Sequence, residues 1–169
     1  MDFSEKNGYS EKNSYSEKNA YSEKDIFSEK GVYCLIFENR ACKTEVGKKG
    51  EFSFYTGFHI YVGSALGPGG LKRVNRHINL SLNRDRNPRW HVDYLHLNPA
   101  FKLISVVYAF TSTRLECALA SRIGGNSVSG FGCTDCKCSS HLFYRSKNPL
   151  SEITEAFQAL GLSALVLEF

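Results

Sequence analysis

The stretch HIYVGSALGPGGLKRVNRHINLSL, residues 59–82, decides the fold. Its first part, His59-Ile60-Tyr61-Val62-Gly63, is a short β-rich apolar run. The breaker cluster Gly67-Pro68-Gly69-Gly70 ends it, and Leu71, Val74 and Ile78 then recur at helical spacing. The stretch reads as strand, glycine loop, helix. Upstream, Gly31-Val32-Tyr33-Cys34-Leu35-Ile36-Phe37 is a second strand, closed by a Lys/Gly-rich turn around Gly47 to Gly50. Downstream, the pattern predicts a short helix at Trp90 to Leu97, a strand at Lys102 to Phe110 and a helix at Arg114 to Ile123. A Cys/Gly/Ser loop follows, then a short strand near Leu142 to Tyr144, a helix from Leu150 to Leu160 and a last strand within Ala164 to Phe169. The expected class is α+β, with a small, mainly antiparallel sheet flanked by helices.

Outside this body lies a tandem hexapeptide: SEKNGY, SEKNSY, SEKNAY, SEKDIF and SEKGVY, starting at Ser4, Ser10, Ser16, Ser22 and Ser28. A period of six forms no helical stripe, and isolated aromatics among Ser, Glu, Lys and Asn bury too little surface to offset ordering entropy. Residues 1–30 are therefore expected to be a disordered tail, with an edge strand or an oligomer-forming arm as the alternative, and residues 31–169 to be one domain. The whole chain, 169 residues with 42% hydrophobic content, suits a single core. No run reaches the roughly 18 apolar residues of a membrane helix, and the first residues lack a secretory layout. A cytoplasmic protein with no membrane role is expected.

Charge is unevenly divided. Residues 1–30 hold five lysines against seven acids, net −2, leaving sixteen Lys and Arg against ten acids in residues 31–169, net +6. Lys72, Arg73, Arg76, Arg84, Arg86 and Arg89 concentrate between residues 72 and 89 against one acid, Asp85. Such a stripe is either a phosphate-facing surface or a solvated helix face. Spacings of three and four place Arg73, Arg76 and His77 together, opposite the apolar stripe of their helix. Guanidinium groups suit bidentate phosphate contact, and a histidine beside them can relay a proton.

Taken in order, Gly31-Val32-Tyr33, Tyr61-Val62-Gly63-Ser64 and Arg73-Val74-Asn75-Arg76-His77 resemble the motifs of the GIY-YIG nuclease superfamily. YVGSALGPGGLKRVNRH (61–77), WHVDYL (90–95), LECALA (115–120) and GFGCTDCKCSSHLFY (130–144) resemble one prokaryotic branch, whose members occur alone or fused to endonuclease III-like repair enzymes. The resemblance spans most of residues 31–145. It implies a three-stranded antiparallel core and a metal-dependent endonuclease site acting on DNA, with RNA as the alternative substrate, and using one Mg²⁺ or Mn²⁺. On this resemblance Tyr33 and Tyr61 are the motif tyrosines, Arg73 binds phosphate, His77 is its partner and Glu116 holds the metal. Independently of the resemblance, Lys72, Arg76, Arg84, Arg86 and Arg89 of the basic run are expected to contact nucleic acid, and His91 and Asp93 either to support the site or to make such contacts too. Arg89 stands where that branch commonly has histidine.

Each residue also has a plainer reading. Tyr33 and Tyr61 fit strands as core aromatics, and Arg73 fits an exposed helix position. Thr113-Arg114-Leu115-Glu116 reads as a capping box, which would engage the Glu116 carboxylate with a backbone amide. Trp90 and Tyr94, four apart, read as a packed helical pair. Cys133, Cys136, Cys138 and His141 are four potential Zn²⁺ ligands within nine residues, although zinc sites ordinarily draw on two separated segments. The alternatives there are buried thiols or a redox pair. At the level of function, a non-catalytic nucleic-acid-binding module and a zinc- or thiol-organised interaction protein compete with the nuclease.

Overall fold

In the computed structural model, which describes residues 28–169, every residue of strand β1 (Gly31–Asn39) except Glu38 is buried. The reason is its position. Strands β4 (Gly57–Ala65) and β5 (Phe101–Phe110) pair with it on either side, and β6 (Leu142–Arg145) and β7 (Leu165–Glu168) form the outer edges. The order is β6-β4-β1-β5-β7, and every pairing is antiparallel. A central strand covered on both faces is apolar throughout rather than alternating.

Alternate residues of β1 feed two cores. Tyr33, Leu35 and Phe37 pack with Leu71 and Val74 around helix α1 (Lys72–Asn83) and with Leu95 of helix α2 (Asp93–Leu97). Val32, Cys34 and Ile36 pack against Leu119 and Ile123 of helix α3 (Glu116–Ile123) and Ile153 and Phe157 of helix α4 (Leu150–Ala159). The sheet thus lies between two helical pairs, as an α+β domain.

The α+β class is as expected, but the core sheet has five strands, not three, because β6 and β7 each add an edge to β4-β1-β5. A separate hairpin, β2 (Cys42–Glu45) and β3 (Glu51–Phe54), surrounds the Lys/Gly turn and went unread, since its short strands are largely exposed and lack a clear apolar period. Two helices are shorter than predicted. Trp90 to Val92 precede α2 as turns, and α3 begins only at Glu116. The hexapeptide tail falls outside the described residues except for Ser28 to Lys30. Among the described residues, no helix is long and apolar enough to cross a membrane.

Candidate active site

Tyr33 of β1 and Tyr61 of β4 sit on the face covered by α1 and α2, because Tyr33 pairs with Gly63 and Tyr61 with Leu35. Gly63 leaves room for the Tyr33 ring: a Cβ there would lie 2.3 Å from Tyr33 Cζ. Gly132 does the same for Tyr61, where a Cβ would lie 2.9 Å from the ring at a backbone φ of +72°. The two tyrosines, Arg73 from the first turn of α1 and Glu116 from the start of α3 line one cleft of about 340 Å³. Ser64, Arg89, Trp90, His91, Gly132, Thr134 and Asp135 complete its walls.

Behind Tyr33 runs a buried chain. Tyr33 Oη lies 3.0 Å from His77 Nε2, and His77 Nδ1 lies 3.1 Å from His96 Nε2. His96 Nδ1 is buried without a hydrogen-bond partner. Because an orphaned N–H is rarer than an orphaned lone pair, His96 carries its proton on Nε2 and donates to His77, which donates from Nε2 to Tyr33. The Tyr33 hydroxyl hydrogen is then free to donate elsewhere. Burial lowers the pKa of both imidazoles, taking His96 to about 3, so the chain is neutral. His77 does not stand opposite the apolar stripe as expected. It is buried with Val74 and Leu80, and it supports Tyr33 instead of lining the cleft.

Burial also raises the pKa of both tyrosines. Tyr61 is pushed up further by the carboxylates of Glu116 and Asp93, against a weaker pull from Arg73. Both hydroxyls are protonated at neutral pH, so in this state they donate and orient rather than act as phenolates.

Arg73 donates from Nη1 to the Ser64 carbonyl at 3.0 Å. Arg76 has a different task. Its two terminal nitrogens grip Asp93 at 2.9 and 2.7 Å, and Asp93 also accepts the amides of Arg89 (2.8 Å) and Trp90 (3.1 Å). Burial disfavours the Asp93 charge, but Arg76 and the two amides outweigh it and hold the carboxyl below its usual range. The Arg76 guanidinium lies 4.1 Å from the Trp90 ring centre, and that of Arg73 5.4 Å. Trp90 is therefore not the helical partner of Tyr94. It lies outside α2 at the cleft, against the guanidinium groups of Arg73 and Arg76 and the His77 ring.

The basic stripe does not form one surface. Arg89 and His91 reach the cleft, whereas Arg84 donates to the Phe101 carbonyl at 3.2 Å, Arg86 lies 3.7 Å from Asp85 and Lys72 is exposed outside the cleft. Glu116 is free of the capping box. Leu115 occupies the N-cap of α3 with no side-chain cap, and the Thr113 amide bonds Thr111 instead. Glu116 Oε1 lies 3.3 Å from Nδ1 of the fully buried His141.

The cysteine set also differs from expectation. The ligand atoms of Cys117, Cys136, Cys138 and His141 all lie within 4.8 Å of one another, and Cys133 is outside the group. Cys117 enters from α3, so two separated segments contribute after all. Hydrogen bonding from Cys117, then burial and Cys136, pushes the Cys138 thiol up to about 12. Three thiols and an imidazole form a donor set of the kind that holds zinc. Cys117, Ser64, His96 and Asp135 were missed by sequence reasoning, and for Cys117 no spacing signal existed to find it.

A search among curated proteins and a search among solved structures find no match to this chain. Residues 32–162, most of the chain, match the model of the family described as domain of unknown function DUF123, and the protein belongs to that family.

Proposed function

We propose that the cleft is a phosphodiesterase site and the chain a GIY-YIG-type, metal-dependent endonuclease acting on DNA, with damaged or branched DNA in repair as its class of substrate. One observation carries this reading. Tyr33, Tyr61, Arg73 and Glu116, 83 positions apart at the extremes, come from four elements and line one cleft.

The roles follow from the donors each residue offers. Arg73, held by the Ser64 carbonyl, binds a phosphate oxygen and offsets charge developing on phosphorus. Tyr33, oriented by His77, and Tyr61 donate hydrogen bonds to a phosphoryl oxygen or to the attacking water. Arg89 and His91 extend the contact along the backbone. Glu116, with Asp135 on the same cleft, fits a hard cation that keeps most of its waters. Bound there, Mg²⁺ or Mn²⁺ would acidify water and neutralise phosphoryl charge.

The test is cleavage of duplex, single-stranded, branched and abasic DNA, and of matching RNA, with Mg²⁺ or Mn²⁺. Arg73→Ala should lose about 10²- to 10³-fold in rate and Glu116→Gln all detectable cleavage, with both variants folded. Salt-sensitive binding with no cleavage across the panel would instead make the chain a nucleic-acid-binding module.

A further inference from the structure

We propose that Cys117, Cys136, Cys138 and His141 bind one structural Zn²⁺, which clamps the loop forming one wall of the cleft to helix α3. The donor atoms already lie near the spacing that such an ion imposes. A tetrahedral ion with Zn–S near 2.3 Å and Zn–N near 2.0–2.1 Å holds its ligand atoms about 3.5–3.8 Å apart. Here His141 Nε2 lies 3.5 Å from Cys136 Sγ and 4.0 Å from Cys117 Sγ, and all four donors fall within 4.8 Å.

The imidazole is oriented for the task. Nε2 points at the sulfurs, while Nδ1 faces Glu116 Oε1 at 3.3 Å and has no hydrogen bond of good angle. A zinc-bound histidine ordinarily presents its second nitrogen to a carboxylate, which leaves the lone pair on the metal side. With four protein ligands the centre is closed, so its role is structural rather than catalytic. Three S–H protons pass to solvent as three Zn–S bonds form.

The ion would clamp one long loop. Between Ile123 and Leu142 there is no helix and no strand beyond a single bridge at Ser127. Connections of that length inside a compact domain are uncommon and usually functional, and this one is already closed at its base by the Gly130–Ser139 and His141–Phe131 backbone hydrogen bonds. The same loop brings Gly132, Thr134 and Asp135 to the cleft. A disulfide would join only two of the three sulfurs and leave His141 Nε2 facing the third.

The inference is independent of the phosphodiesterase reading, because zinc content is read without a cleavage assay. The full chain, purified under reducing conditions from zinc-supplemented medium, is assayed for metal. Wild type and Cys133→Ser should hold one zinc per chain, and Cys136→Ala/Cys138→Ala less than about a tenth of that. In case the double variant does not fold, cobalt(II) replaces zinc in the wild type, where tetrahedral d–d bands with thiolate charge transfer are expected. A chelator should then expose three further thiols to a thiol reagent. Folded wild type that takes up no zinc, a cobalt spectrum without thiolate bands, or equal zinc loss in Cys133→Ser would overturn the proposal.

Discussion

Asp93→Asn tests whether the Arg76–Asp93 pair organises the Trp90 wall of the cleft. The Asp93 side chain is fully buried and accepts four hydrogen bonds, two from Arg76 and one each from the amides of Arg89 and Trp90. Both amides and Arg76 Nη2 converge on Oδ2, while Arg76 Nη1 meets Oδ1. Asparagine can keep its oxygen at the Oδ2 position, but its NH₂ group then faces Arg76 Nη1, donor against donor at 2.9 Å. Breaking a buried pair costs about 3–5 kcal/mol, and because Arg76 retains 18% exposure, water recovers part of its solvation. We expect about 3 kcal/mol, or a fall in Tm of about 6–12 °C for a chain of this size. The loss is fully present at pH 7, since a carboxyl held below its usual range contributes above about pH 4 and fades as pH falls through its lowered folded value. Urea titration and calorimetry of wild type, Asp93→Asn, Arg76→Met and the double variant provide the measurement. A cost of less than about 1 kcal/mol for Asp93→Asn, or a coupling below about 0.5 kcal/mol in the cycle, would refute the reasoning.

Two further predictions concern the same face of the sheet and the buried histidines. Gly63→Ala places a Cβ 2.3 Å from Tyr33 Cζ, displaces the ring and breaks its contact with His77, at a cost of about 2–3 kcal/mol. In a Tyr33→Ala background the same substitution should cost under about 0.5 kcal/mol, and an equal cost in both backgrounds would discard the close-approach argument. Burial keeps His59 neutral down to about pH 4 and His96 to about 3, and lowers His77 as well. Unfolded histidine takes up its proton near pH 6.5, so stability is complete above that value and declines on acidification toward pH 4, by up to about 1.4 kcal/mol per pH unit for each ring. A urea midpoint unchanged between pH 7.5 and 5 would contradict this.

Much of the fold was legible because its signals are local. The run Gly31 to Phe37, strand 59–63 with its glycine loop and helix, and strand Lys102 to Phe110 are each decided by neighbours within a turn or a pleat, and the structure contains all of them. The hairpin at Cys42–Phe54 was hidden because its register depends on packing of Val46 and Phe54 into a core made elsewhere. His77 was placed beside Arg73 and Arg76 by spacing. The structure buries it because β1 and α2 supply Tyr33 and His96 as partners, without which a buried imidazole would be costly.

The sequence by itself determined the five strands of the main sheet, the existence of the four helices and which residue types were available for chemistry. Only the tertiary structure decided which of them meet: that Arg76 belongs to Asp93, that Glu116 is free of its capping box, and that Cys117 rather than Cys133 joins Cys136, Cys138 and His141. Periodicity carries information over four or five residues, whereas Cys117 is 19 positions from Cys136 and Tyr33 is 44 from His77. Contacts at that range follow from how the sheet and its two helical layers close on each other, which no local pattern encodes.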